Sequence, residues 1–250
     1  MSIAEKLTQI AENEQKVYDA GFEAGAAAGG NTEEAYEQGV TDGRAAEQSD
    51  FWDAYQKNGT RTEYSYAFAN WIGKCFKPKY NISGNLNYAF QDFNKQGGGY
   101  FDLGAVIDGT RRKIEFGSQH NYVFKNAYIS RLGICDFSQC TSLDYTFYTC
   151  SKLVRIERLI MPETDNPIYN MPFLNCHALR DILISGKIKR TLAFAQSPEL
   201  SLTSLRSIIN ALEDLTGTST SYKITLGATN IAKLSADELA SIEAKGWIYG

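Results

Sequence analysis

Cys176 and His177 stand side by side in the chain, and a thiol beside an imidazole is the pairing that makes a thiolate nucleophile. Neighbours on an extended turn point apart, however, and no third group is placed to orient the ring. Cys75, Cys135, Cys140 and Cys150 bring the cysteines to five, an odd number without a CxxC pair, which suits neither a disulfide framework nor a zinc site. His120 is the other histidine, so acid–base chemistry is thinly equipped. Carboxylates remain: two among Glu115, Asp136, Asp144 and Glu157 could flank a glycosidic bond, as a glycan-cleaving enzyme requires. Single carboxylates on successive turns, by contrast, are the usual make-up of a solvated edge. Gly97-Gly98-Gly99 lacks the Lys-Ser/Thr of a phosphate loop and reads as a turn. The sequons Asn58-Gly59-Thr60 and Asn81-Ile82-Ser83 carry weight only in an exported chain. These residues predict a non-enzymatic protein with no cofactor and no metal.

Charge narrows the partners. The 250 residues hold 25 Lys+Arg against 29 Asp+Glu, a net −4, and no basic block that could neutralise a run of phosphates. Nucleic acid is not an expected ligand. No window reaches the ~18 uninterrupted apolar residues of a membrane span, so no membrane insertion is expected. The start, Met1-Ser2-Ile3-Ala4-Glu5-Lys6-Leu7, lacks the profile of a secretory signal.

The elements that would position any site are periodic. Tyr88-Ala89-Phe90-Gln91-Asp92-Phe93, Tyr122-Val123-Phe124-Lys125-Asn126-Ala127, Tyr145-Thr146-Phe147-Tyr148-Thr149-Cys150 and Met171-Pro172-Phe173-Leu174-Asn175-Cys176 share one frame, aromatic-x-Phe-x-x-(Cys/Ala/Phe), with Met171 at the aromatic place in the last; their Phe positions fall 34, 23 and 26 residues apart. After the cysteine the frame continues as Cys150-x-x-Leu153-x-x-Ile156 and Cys176-x-x-Leu179-x-x-Ile182, with Phe137-x-x-Cys140-x-x-Leu143 before them. Each unit then runs into a β-prone stretch: Leu132-Gly133-Ile134, Ile156 to Met161, and Ile182-Leu183-Ile184. The expected repeat core is Phe90, Phe124, Phe147, Phe173, Cys140, Cys150, Cys176, Leu143, Leu153, Leu179, Ile156 and Ile182, with the cysteines as compact, inert core residues. Thr203 to Leu215 has helical spacing, Tyr222 to Gly227 alternates like a strand, and Ser235-Ala236-Asp237-Glu238 opens a capped helix ending at Gly246.

The front of the chain differs. Ile3, Leu7, Ile10, Glu14, Val17, Gly21 and Ala24 form a thin coiled-coil seam with one polar slot, whose apolar and small members are candidates for joining sister copies into a homo-oligomer. Tyr18-Asp19-Ala20-Gly21-Phe22-Glu23-Ala24-Gly25 recurs 18 residues on as Tyr36-Glu37-Gln38-Gly39-Val40-Thr41-Asp42-Gly43. Phe51-Trp52-Asp53-Ala54-Tyr55-Gln56 then concentrates aromatics into a plug for the open end of the repeat region.

Over residues 120–250 the Phe-x-x-Cys-x-x-Leu-x-x-Ile frame resembles the BspA-like class of leucine-rich-repeat proteins. The stretch Thr225-Leu226-Gly227-Ala228-Thr229-Asn230-Ile231-Ala232-Lys233-Leu234-Ser235, with Lys245-Gly246-Trp247, looks like the terminal module of such proteins from gut bacteria and their prophages. The Tyr-x-x-Gly-x-x-x-Gly echo and the 51–56 segment are similar to the front of prophage-encoded members in Firmicutes. Ala127 and Phe93 depart from the pattern by replacing the cysteine, which leaves the number of rungs open. The resemblance implies a surface or virion-associated recognition protein without catalytic residues. The fold it implies is α+β: a helical arm or oligomerisation stalk over residues 1–48, an aromatic-rich cap or connector over 49–100, and over 101–250 a leucine-rich-repeat solenoid with a short parallel β-sheet and a C-terminal helical cap.

Three functions are compatible with these residues. In the first, a phage tail-associated structural or receptor-binding protein, assembled in the bacterial cytoplasm and carried on the virion, meets other tail proteins or a host protein or glycan. In the second, the same surface serves a bacterial cell-surface adhesin. The third is the glycan-cleaving enzyme above. Exposed aromatics are the expected binding anchors, with Tyr128, Tyr145, Tyr148 and Tyr169 as candidates.

Overall fold

A computed structural model of the chain describes residues 75–76, 81–93, 100–101, 106–107, 110–111, 113–117 and 120–250, all within the second of two units, residues 59–250. The seam residues Ile3, Leu7, Ile10, Val17, Gly21 and Ala24, the arm over 1–48 and the aromatic 51–56 segment lie outside the described residues.

Strand β1 (Cys75–Phe76) pairs in parallel with β3 (Tyr100–Phe101), and β4 (Val106–Ile107) pairs antiparallel with β5 (Thr110–Arg111). The main sheet is five-stranded and parallel, in the order β2 (Ile82–Gly84), β6 (Lys113–Phe116), β7 (Arg131–Asp136), β8 (Arg155–Ile160) and β9 (Asp181–Ser185). Alternation explains β6, where Ile114 and Phe116 are buried while Lys113 and Glu115 are only partly so. β8 breaks alternation. Its register with β9 slips between Ile156 and Leu159, so Glu157 and Arg158 are both left off the core while Ile156 and Leu159 stay in it.

Between strands the chain makes a recurring turn with two residues at positive φ: Tyr88 and Asp92, Tyr122 and Asn126, Tyr145 and Thr149, Met171 and Asn175. Successive turns are bonded backbone to backbone. Phe90 N donates to Val123 O at 2.8 Å, Phe124 N to Thr146 O at 3.0 Å, and Phe147 N to Pro172 O at 3.1 Å. Inside them Phe90, Phe124, Phe147, Phe173 and Phe194 stack at centroid distances of 5.2, 5.7, 5.3 and 4.7 Å. Phe116 and Phe137 form a second stack at 4.0 Å, edge-on to Phe124 and Phe147. The twelve core residues expected from the sequence are all buried.

The cysteines have a specific task in this core. Cys140 Sγ donates to Phe116 O at 2.7 Å, Cys150 Sγ to Phe124 O at 2.9 Å, and Cys176 Sγ to Phe147 O at 3.1 Å. Each thiol thus gives a carbonyl of an earlier unit a further partner, which a methyl could not do.

The main sheet ends at β9, and a helix ends it. Helix α1 (Leu202–Ala211), capped by Ser201, buries Leu205, Ile208 and Ile209. It also presents two hydroxyls to the edge strand: Ile182 N donates to Ser204 Oγ at 2.9 Å and Ile184 N to Ser207 Oγ at 2.8 Å. Ser204 Oγ in turn donates to Arg180 O at 3.0 Å. Side chains therefore occupy the donors to which a sixth strand would pair.

Beyond this point a separate three-stranded parallel sheet is built from β10 (Leu192–Ala193), β11 (Tyr222–Thr225) and β12 (Trp247–Tyr249). The short α2 (Ala228–Ile231) and α3 (Ala236–Ala244) lie between β11 and β12 in the chain. α3 opens with a capping box of Ser235 and Glu238, and Gly246, at φ +77°, reverses the chain into β12.

These observations correct the expected fold class. The described residues form a five-stranded and a three-stranded parallel sheet and two two-stranded pairs, with few helices, and not an α+β leucine-rich-repeat solenoid running to a C-terminal helical cap. The physical reasons are two. The hydroxyls of α1 close the edge at β9. The capped helix α3 is followed by β12, whose Trp247 is buried and donates Nε1–H to Glu213 O at 2.8 Å, so a strand and not a helix lies at the end of the fold.

Candidate functional site

The turn that drives Phe inward carries a second aromatic two residues earlier, at the first positive-φ position. There Tyr88 stacks on Tyr122 at 5.2 Å and 9°, and Tyr122 on Tyr145 at 4.9 Å and 11°. Tyr148 meets Tyr145 edge-on at 5.7 Å, and Lys125 Nζ lies 5.1 Å from the centre of the Tyr122 ring. Met171 holds the same turn position on the next unit and is exposed. These tyrosines are half-buried, forming an outer row parallel to the Phe column beneath.

A polar row runs beside them, because an Asn or Asp precedes each of these residues: Asn87, Asn121, Asp144 and Asn170. Asn121 N donates to Asn87 Oδ1 at 2.9 Å, and Asn170 N to Asp144 Oδ1 at 2.9 Å. Asn170 Nδ2 also donates to Asp144 Oδ2 at 3.1 Å, so both carboxylate oxygens are held in place. The second positive-φ residues make further rungs, with Asn126 Nδ2 donating to Asp92 Oδ1 at 3.2 Å. Crowding by neighbours pushes the Tyr122 phenol above its ordinary value, and Tyr145, Tyr88, Asp144 and Tyr148 add to the shift. Tyr122 thus sits in a cluster of hydroxyls with the Asp144 carboxylate.

Of the anchors expected from the sequence, Tyr145 and Tyr148 come together in this row. Tyr128 lies just past the turn, half-buried, with its backbone N–H on Phe93 O at 2.9 Å. Tyr169 turns its hydroxyl inward near Arg190, and burial pushes that phenol strongly up. Tyr88 and Tyr122 are not among the expected anchors. The signal that finds them is the Asn/Asp one residue before the aromatic, which extends the frame by one position.

The catalytic options of the sequence have definite places. Burial pushes the Cys140 and Cys176 thiols up to about 12 and raises Cys135 and Cys150 well above the ordinary value. His177 is exposed, whereas Cys176 is buried. His120 is buried, its ring nitrogens facing Gly117 O at 2.5 Å and Ser142 O at 3.0 Å, edge-on to Phe116 and Phe137. Glu115 and Asp136 are register partners across β6 and β7, with Lys113 Nζ 2.5 Å from Glu115 and 3.5 Å from Asp136. Burial works against the Asp136 carboxylate, yet the Ser138 hydroxyl and N–H and the Lys113 ammonium hold it below its ordinary value. Glu157 pairs with Arg131. Among the described residues no group of three or more His, Cys, Asp or Glu could hold a metal ion, and no helix is long and apolar enough to cross a membrane.

No protein-family model, curated protein or solved structure matches the chain.

Proposed function

We propose that this protein is a non-enzymatic, virion-associated component of a bacteriophage tail that holds a rigid aromatic face against a host or partner surface. The observation that carries this proposal is the outer tyrosine row, fixed at positive φ on successive turns and set over a continuous Phe column. Side chains already ordered by their own turn lose little freedom on contact, so more of the contact energy remains as affinity. The tail setting is an expectation drawn from the Phe-x-x-Cys-x-x-Leu-x-x-Ile spacing of the sequence alone. Sister copies would join through Ile3, Leu7, Ile10, Val17, Gly21 and Ala24, and light scattering of the full chain should then give a mass above that of one copy.

The chemistry favours holding a partner over converting one. A thiol that ionises only near pH 12 is not a nucleophile at neutral pH. A glycan-cleaving acid needs a carboxyl that keeps its proton, whereas Ser138 and Lys113 hold the Asp136 carboxyl below its ordinary value. The test is co-sedimentation of the full chain with purified Gram-positive cell walls. Retention without release of new reducing ends is expected; release of reducing ends would overturn the proposal in favour of an enzyme.

A further inference from the structure

We infer that the outer tyrosine row is a binding site for a neutral, hydroxyl-rich glycan chain, an inference that rests on the recognition role proposed above. The first support is backbone strain. Each turn has two positive-φ positions, and the second is filled by Asp92, Asn126, Thr149 or Asn175, mostly the short polar types that tolerate this conformation. The first position asks for the same backbone but carries Tyr88, at φ 54°, Tyr122, at 54°, Tyr145, at 50°, and Met171, at 46°. Bulky side chains held against the local preference, on turn after turn along one face, mark a constraint beyond folding.

The second support is what the row offers. Mutual stacking at 5.2 and 4.9 Å covers ring faces between neighbouring tyrosines, so a ligand would meet ring edges and the hydroxyls of Tyr122 and Tyr145. A partner is therefore read mainly through hydrogen bonds. A phenol hydroxyl both donates and accepts, and the Asp144 carboxylate, fixed by Asn170, accepts strongly. Sugar hydroxyls do both in return.

The third support is charge and spacing. Two carboxylates, Asp92 and Asp144, against one ammonium, Lys125 over the Tyr122 ring, leave no net positive field to select a polyanion. Tyrosine rings stacked 5.2 and 4.9 Å apart on successive turns fit a linear polymer that repeats its own hydroxyls along its length.

The test is affinity electrophoresis of the full chain in gels carrying neutral glucan, galactan, rhamnan or a β-linked N-acetylglucosamine polymer, with poly(glycerol phosphate) teichoic acid as the anionic control. Retardation by at least one neutral polymer is expected. Tyr122→Phe, which keeps ring and backbone but removes one hydroxyl, should weaken that retardation about tenfold with an unchanged thermal midpoint. Met171→Tyr, which extends the row by one, should strengthen it. Retardation by teichoic acid alone, wild-type binding by Tyr122→Phe, or no gain from Met171→Tyr would each overturn the inference. Retention on whole cell walls without binding to any neutral polymer would overturn the glycan assignment while leaving the recognition role intact. Loss of both would remove the two together.

Discussion

Phe147 and Tyr145 belong to one turn and stand two residues apart, yet they live under opposite constraints. Phe147 is fully buried, stacked on Phe124 and Phe173 and edge-on to Phe137. Tyr145 is half-buried, at φ 50°, between a stacked Tyr122 and an edge-on Tyr148. Removal of apolar surface from water favours the inner position. The outer position strains the backbone and recovers part of that in ring stacking. A turn that recurs can thus assign stability to one side and contact to the other, and substitutions on the two sides should separate the two properties.

The sharpest break lies on the inner side. Phe147→Ala opens a cavity in the middle of the column and should cost about 3–5 kcal/mol, read as a lower denaturant midpoint. Next comes a pH effect from the same interior. The unfolded thiols ionise near their ordinary value of 9.0, while folded Cys140 and Cys176 keep their protons to about 12. Below pH 9 their contribution is fully present; above it the unfolded state releases protons first. Stability should therefore fall by about 1.4 kcal/mol per thiol per pH unit until the folded thiols titrate. Cys176→Ala should flatten that slope by one proton in unfolding curves measured from pH 8 to pH 11. Ser204→Ala strips the edge of the main sheet of the hydroxyl that links Ile182 N to Arg180 O. It should cost about 1–3 kcal/mol by the same denaturant measurement. On the outer side the expected effect on folding is smallest. Tyr122→Asn loses two stacked contacts but relaxes a positive φ, so its unfolding free energy should stay within about 1 kcal/mol of the parent.

The inner column is more legible in the sequence than the outer row, for a physical reason. Burial imposes a fixed type at a fixed place, so the Phe-x-x-Cys spacing stands out, as do the β-prone stretches that become β7, β8 and β9. Phe194, the fifth ring in the stack, is hidden because Ala195-Gln196-Ser197 comes after it in place of the cysteine frame. Tyr88 and Tyr122 do not stand out as anchors because a half-buried position tolerates several residue types, and because the Asn or Asp before each lies one position outside the aromatic-x-Phe frame. The architecture is less legible still. Nothing local in Ser204 or Ser207 says that their hydroxyls will bond a distant strand, since that depends on how α1 docks. Nor does the capping box of α3 reveal that a strand comes after it, because β12 depends on pairing with β11 and on the burial of Trp247.

The division of labour within the turn is tested most directly by the double variant Tyr122→Phe/Tyr145→Phe, assayed side by side for denaturant midpoint and for retention on Gram-positive cell walls. An unchanged midpoint with retention lost is expected. A lowered midpoint with retention intact would contradict it, and would make the outer row a second element of stability.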